Sequence, residues 1–133
     1  MAAPSQKDVE TLLKLYEIYD RNRDSAIWFL TDLSAKDYES FKKKYPSRSR
    51  ARAHFATVAG FFELAGILLE RKLLNEDLFF DTFNVSAFWS RGKGIIKGMR
   101  KDRPRIYENF ELVNNRKTRW AKRHPPKVKL KVP

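Results

Sequence analysis

The sequence has no cysteine, which removes disulfide bridges, thiolate chemistry and Cys-ligated zinc. Histidine is nearly as scarce. His54 and His124 stand far apart with no HExxH spacing around either, so no metal-ligand set is visible. No serine has a histidine beside it in sequence, and a Ser–His nucleophile is unsupported. Glycine occurs five times. Gly92-Lys93-Gly94 and Gly98 lack the GxxxxGK[ST] order of a phosphate loop and follow no strand signal, so Gly92 and Gly98 read as close-packing positions in a helix. Long apolar runs are also missing. The most apolar stretch, Phe55 to Leu69, is 15 residues long and holds Gly60, Glu63 and Gly66. A bilayer span needs roughly 20 apolar residues, so this stretch reads as a buried core helix. Met1 to Asp8 is polar and has no apolar leader. The expectation is a cytoplasmic chain with no transmembrane segment.

What is present is aromatic and basic. The chain has 133 residues, enough for one domain. Ten Phe, five Tyr and three Trp supply a core that needs no staple. Net charge is +12, and every acidic residue lies at or before Glu111. From Arg116 onward there are eight basic residues and no acid, while the first 115 residues hold 20 basic and 16 acidic groups. Such a tail attracts nucleic acid, anionic membrane or an acidic protein face.

Apolar spacing predicts about six or seven short helices. Ser5 caps a first helix over about 6–20, carried by Val9, Leu12, Leu13 and Tyr16. The polar stretch 20–24 is a turn or a continuation, and a second stripe from Ala26 reaches Leu33. Ser34, with Asp37 three positions on, reads as a capping box for a short helix along Tyr38, Phe41 and Tyr45. Pro46 ends that helix. Ser47 or Ser49 caps a long helix to about 73, and Asn75 caps one through Phe83. Ser86 begins a helix to about 101. Asp102 and Pro104 sit where an N-cap and a first-turn proline belong, opening a last helix that runs to about Lys122. After Pro125-Pro126, the strict alternation over 127–132 is a strand signal without a partner. The expected organisation is a compact all-α domain over 1–117 and an extended or disordered basic tail over 118–133, with sequence neighbours packed antiparallel.

Glu63 is the most unusual residue, a carboxylate inside Phe61-Phe62-Glu63-Leu64-Ala65. At 100° per residue it shares a face with Ala56, Ala59 and Gly60, where another helix can approach closely. A lone carboxylate there is costly, so Glu63 reads as a structural buried acid with a partner such as Arg100 or Trp89. An acid working in an open cleft is the weaker reading. His54 reads as a satisfied interfacial residue. Two basic surfaces remain. Lys93, Lys97 and Arg100 share one helix face, with Arg103 and Arg105 following. Lys42, Lys43, Lys44, Arg48, Arg50 and Arg52 form an acid-free stretch. Together with Arg119, Lys122 and Arg123 they make a phosphate-tracking surface, and Trp120 amid these cations is placed to stack on a base. Solvated helix faces with a docked Trp120 are the plainer alternative. No helix-turn-helix, zinc-finger or RNP signature is present.

From about Ala53 to Val113 the chain resembles a family of small, uncharacterised, mostly bacterial helical domains. The resemblance rests on Phe61-Phe62-Glu63-Leu64-Ala65, the following run Gly66 to Leu74, Asn75-Glu76-Asp77-Leu78, Phe88-Trp89, Ile95-Ile96, Arg100 and Tyr107-Glu108-Asn109-Phe110-Glu111. It implies an all-helical fold and carries no catalytic residues. Some members have an N-terminal membrane segment, from which this chain departs, and the basic tail looks like an addition.

The sequence therefore leads to a non-enzymatic binding protein, without cofactor or metal, that engages an anionic partner. DNA or RNA bound in a largely sequence-independent way is the first expectation. Lys93, Lys97, Arg100, Arg119, Lys122 and Arg123 would contact phosphates and Trp120 would stack. The alternative is a helical protein-interaction or structural module, with a protein partner or as a homo-oligomer, suggested by Trp28, Phe80 and the Val128/Leu130/Val132 alternation. An anionic membrane surface is a further partner for the tail.

Overall fold

A computed structural model describes residues 3–128. Seven α-helices and no strand occur among the described residues: α1 (Gln6–Arg21), α2 (Arg23–Ile27), α3 (Tyr38–Lys44), α4 (Arg50–Glu70), α5 (Glu76–Thr82), α6 (Val85–Met99) and α7 (Glu108–Arg123). The fold is all-α, as the apolar spacing predicts. Of the alternating segment 127–132, the part after Val128 lies outside the described residues.

The local capping chemistry is largely as expected. Ser5 and Asp8 close a full capping box on α1, Ser49 caps α4 through the Arg52 N–H, and Asn75 caps α5 through Leu78. Three starts differ. Asp37, not Ser34, caps α3, through Ser40 N–H at 2.8 Å; the Ser34 hydroxyl instead meets Lys44. Bonding from the Ser40 backbone, reinforced by its side chain, holds the Asp37 carboxyl below its usual range. Asn84 precedes α6 without a side-chain cap, so Ser86 lies inside the helix. Asp102 and Pro104 fall in a run of turns, and α7 starts only at Glu108.

The polar stretch after α1 is a break at Asn22, and α2 then widens into a π-helical turn over Trp28–Asp32. A π turn leaves carbonyls out of the regular ladder. Arg91 of α6 meets them, bonding the Phe29 carbonyl at 2.7 Å and the Leu33 carbonyl. At the far end of α4 the Lys72 and Leu73 N–H groups bond the Leu69 and Leu68 carbonyls with Lys72 at φ 60. This is a Schellman ending with lysine where glycine is usual.

The other helices pack around α4. Its length and composition would also suit a bilayer span; here eight of its residues, among them Phe55, Phe62 and Leu69, are buried in the core. Aromatic rings fill that core. Phe62 meets Phe88 at 4.9 Å and Phe110 at 5.2 Å, and Phe55 meets Phe29 and Phe41. The most extensive interface joins α4 and α7. They run side by side in the same direction, Glu63 meeting Asn109 and Phe110 and Glu70 meeting Arg116 seven residues on. Gly66 permits this approach, because a Cβ there would overlap the Asn109 backbone.

Gly60, one face away on the same helix, has open space around its missing Cβ. The two glycines should respond oppositely to alanine. Gly66→Ala is expected to destabilise by about 1–3 kcal/mol through overpacking, and Gly60→Ala to stabilise by about 0.5–1 kcal/mol through backbone entropy. Urea midpoints of the two variants check both signs.

Candidate nucleic-acid interface

Glycines also bring the two basic stretches together. The segment Lys36–Tyr38, leading into α3, lies along α6, where Cβ atoms at Gly94 and Gly98 would strike the Lys36 carbonyl and the Tyr38 side chain. Residues 36–52 and 91–105, distant in sequence, thereby share one side of the domain. The first segment carries seven basic and two acidic side chains, the second seven basic and one acidic. The rest of residues 1–115 carries six basic and thirteen acidic. The near balance of the first 115 residues therefore conceals a strong separation of charge.

Two concavities mark the α3/α6 side. A cleft of about 500 Å³ is lined by Ser34, Lys36, Ser90, Arg91 and Lys93. A pocket of about 180 Å³ lies between Tyr38, Arg52, Arg103 and Tyr107 over buried Phe41 and Phe55. The two acids of the first segment are engaged: Asp37 caps α3 and Glu39 pairs with Lys42 at 3.1 Å. Lys93 and Lys97 are exposed, and no ion pair engages either among the described residues.

Arg100 does not join them. It turns toward α7, donating to the Ile106 and Tyr107 carbonyls at 3.1 and 3.2 Å and pairing with Glu111. A guanidinium with those three acceptors is a structural clamp on the 100–107 turns, which corrects its assignment as a phosphate contact. The expected partnership of Glu63 with Arg100 or Trp89 is corrected too. Half-buried Glu63 accepts from Asn109 Nδ2 at 2.8 Å and from Phe110 N–H at 3.0 Å. Phe110 is the third residue of α7, and Tyr107 before the helix offers no side-chain cap. Glu63 thus caps α7 from another helix, its negative charge set at a positive helix end.

The tail expectation changes most. α7 runs on through Arg123, so residues 118–123, assigned to the tail, belong to a helix of the domain. Trp120 is 8% exposed. Its Nε1–H donates to Asp77 at 2.8 Å, and its ring packs on Phe80 and stacks on His124 with centroids 4.4 Å apart. With the ring docked on the domain, it offers no face to a base. Arg123 lies 3.6 Å from Glu76, Arg116 bonds Glu70 at 2.9 Å, and Lys127 lies 3.4 Å from Asp81. Much of this charge thus faces the acids of α5 and the end of α4. Arg119 and Lys122 are exposed on α7. Of the apolar material named for an interface, Phe80 is buried and Trp28 packs on Tyr45 and His54, whereas Val128 is exposed. Lys36 escaped the sequence reading because it is an isolated lysine in a connector; only its seat against Gly94 places it in the same cleft as Lys93.

One serine does meet a histidine in the fold, although the two are not adjacent in sequence. Ser25 Oγ lies 2.8 Å from His54 Nδ1, although 29 residues separate them. Ser25 is 8% exposed, His54 stacks on Trp28, and neither lines one of the concavities found among the described residues. The pair ties α2 to α4. Among the described residues no group of three or more His, Asp or Glu converges on a point that could hold a metal ion.

Removing the Glu63 carboxylate should be felt at α7. Glu63→Ala leaves the Phe110 N–H and the Asn109 amide unpaired, and a loss of about 1–3 kcal/mol is expected. Faster hydrogen exchange at the Phe110 amide, measured by NMR, distinguishes loss of the cap from general loosening.

A family model described as Domain of unknown function (DUF4760) matches residues 4–120. No curated protein and no solved structure matches the chain.

Proposed function

We propose, from the premise that this chain belongs to the family described as Domain of unknown function (DUF4760), that it is a non-enzymatic binding protein whose α3/α6 face engages DNA or RNA without sequence preference. The observation that carries this reading is the glycine-lined seam that joins two basic segments on one side while most acids of residues 1–115 lie elsewhere in the chain. Lys36, Lys93 and Lys97 with the α3 lysines form a track suited to repeated phosphates, and backbone contacts of this kind are sequence-independent. Exposed Arg119 and Lys122 lie on α7, apart from this track. The docked Trp120 has no part in it. A cytoplasmic setting, in keeping with the absence of cysteine, belongs to the same reading.

Fluorescence anisotropy with a labelled 20-nucleotide strand and its duplex tests the reading. Affinity should fall linearly with salt on a log–log plot. The double charge reversal Lys93→Glu/Lys97→Glu should cost about tenfold or more and flatten the slope by about one per lysine, whereas Lys14→Glu on α1 should change little. Affinity indifferent to salt or to the double reversal sinks the proposal. Tighter binding to phosphatidylserine vesicles than to either oligonucleotide at equal salt would reassign the basic surface to a lipid partner.

A second reading, a helical interaction module that pairs with itself, is favoured by one observation. Ala53, Ala56, Gly60 and Leu64 leave an exposed small-residue apolar stripe on α4, open above Gly60. Sedimentation should then show a mass that rises with concentration and returns to monomer in Leu64→Glu. A constant monomer mass rejects it.

A further inference from the structure

The pocket at the Arg103 end of the α3/α6 face has a chemistry that the neighbouring lysines lack. Its floor is aromatic: Phe41 and Phe55, both nearly inaccessible, with centroids 5.0 Å apart. Half-buried Tyr38 and Tyr107 form its walls, Tyr107 meeting Phe55 edge-on at 6.5 Å. Two guanidinium groups line it. Arg52 lies over the Phe41 ring at 4.9 Å and is held through Nε by the Tyr45 carbonyl, leaving its outer nitrogens free of that bond. Arg103 is exposed and makes no ion pair among the described residues. Flat aromatic walls beside forked cations suit a planar heteroaromatic ring attached to a phosphate.

The pocket is also held in place at a cost. Tyr107 has φ 52 and ψ 30, a left-handed conformation that is an outlier for a bulky residue. Strain of this kind persists only where surrounding bonds enforce it, and it concentrates at functional sites. Here Arg100 bonds the Tyr107 carbonyl and Glu63 caps the helix that follows. The two residues that sequence reasoning linked to each other therefore both act next to Tyr107, Arg100 on its carbonyl and Glu63 on the helix it precedes. Burial raises the Tyr107 phenol above its usual value, with Arg103 opposing and Glu63 adding to the shift.

We infer that this pocket receives one unpaired nucleobase from a single strand whose phosphates run along Lys93 and Lys97. The inference rests on the basic-face reading and adds to it a preference for single-stranded over duplex nucleic acid, since a paired base cannot enter. The base stacks against Tyr107 and Tyr38, and its flanking phosphate meets Arg103 and Arg52. Stacking of this type is tolerant of base identity, in keeping with binding that does not read sequence.

The test uses the full chain and two fluorescein-labelled ten-nucleotide probes of equal charge, oligo-dT and a fully abasic strand. The intact strand should bind at least about fivefold more tightly than the abasic one. Tyr107→Gly removes a wall while suiting the left-handed backbone, and Ala56→Leu fills the pocket from an exposed position. Both should bring the ratio close to one while leaving abasic binding within about twofold, on the premise that phosphate contacts are untouched. A wild-type ratio of one overturns the base pocket and leaves the basic face standing. A ratio that persists in both folded variants also overturns it, because the base then stacks elsewhere. Binding of neither probe removes the basic-face reading and the pocket with it. Circular dichroism establishes that the variants fold; if either does not, the wild-type ratio decides.

Discussion

Everything on the α6–α7 side of this protein depends on one carboxylate. Glu63 reaches from the middle of the central helix to the first turn of α7 and takes up two donors there, Asn109 Nδ2 and Phe110 N–H. A helix start has several N–H groups without internal partners, and α7 begins after a tyrosine that has no capping oxygen to offer near the helix axis. Without the carboxylate, the buried start of α7 would lack acceptors in a region lined by Phe62, Trp89 and Phe110. The cap also fixes the direction of α7. Held at Glu63 and again at Glu70–Arg116, α7 lies parallel to α4 along its length, with Gly66 providing the close approach.

Arg100 completes this arrangement from the other side. Its three acceptors, two turn carbonyls and Glu111, tie the end of α6 to the start of α7. An arginine fits because its planar fork serves several acceptors at once, which a lysine cannot do. Together the two charged groups fix the 100–107 turns and the left-handed Tyr107. They are partly buried and fully engaged, the condition under which buried charge is tolerated. The most conspicuous ionisable residues of the sequence are thus spent on architecture, whereas Lys93 and Lys97 stay exposed.

Charge on this chain is sorted by packing. The glycines of α6 admit the connector before α3, and that contact puts residues 36–52 beside 91–105. At the other end, basic residues of α7 and the following segment are drawn to Glu70, Glu76 and Asp81. A basic tail read from composition alone looks like the dominant feature. In the fold much of its described part is engaged by acids, and the less conspicuous α3/α6 side holds the concentrated positive surface.

Sequence by itself determined the helical class, most of the helix positions and three of the caps, because 3.6-residue periodicity and Ser or Asn capping act over a few neighbouring residues. It also singled out Glu63 as a structural acid, since a carboxylate in an aromatic helix must find a partner. What only the tertiary structure decided was which partner. Asn109 and the Phe110 N–H lie 46 and 47 residues away, and a backbone donor leaves no mark in composition. The same holds for Arg100, for Trp120 bound to Asp77, for the Ser25–His54 pair and for the pocket around Tyr107. Each depends on side chains that meet through packing between distant segments, and sequence spacing cannot encode a contact whose geometry is set by how whole helices approach.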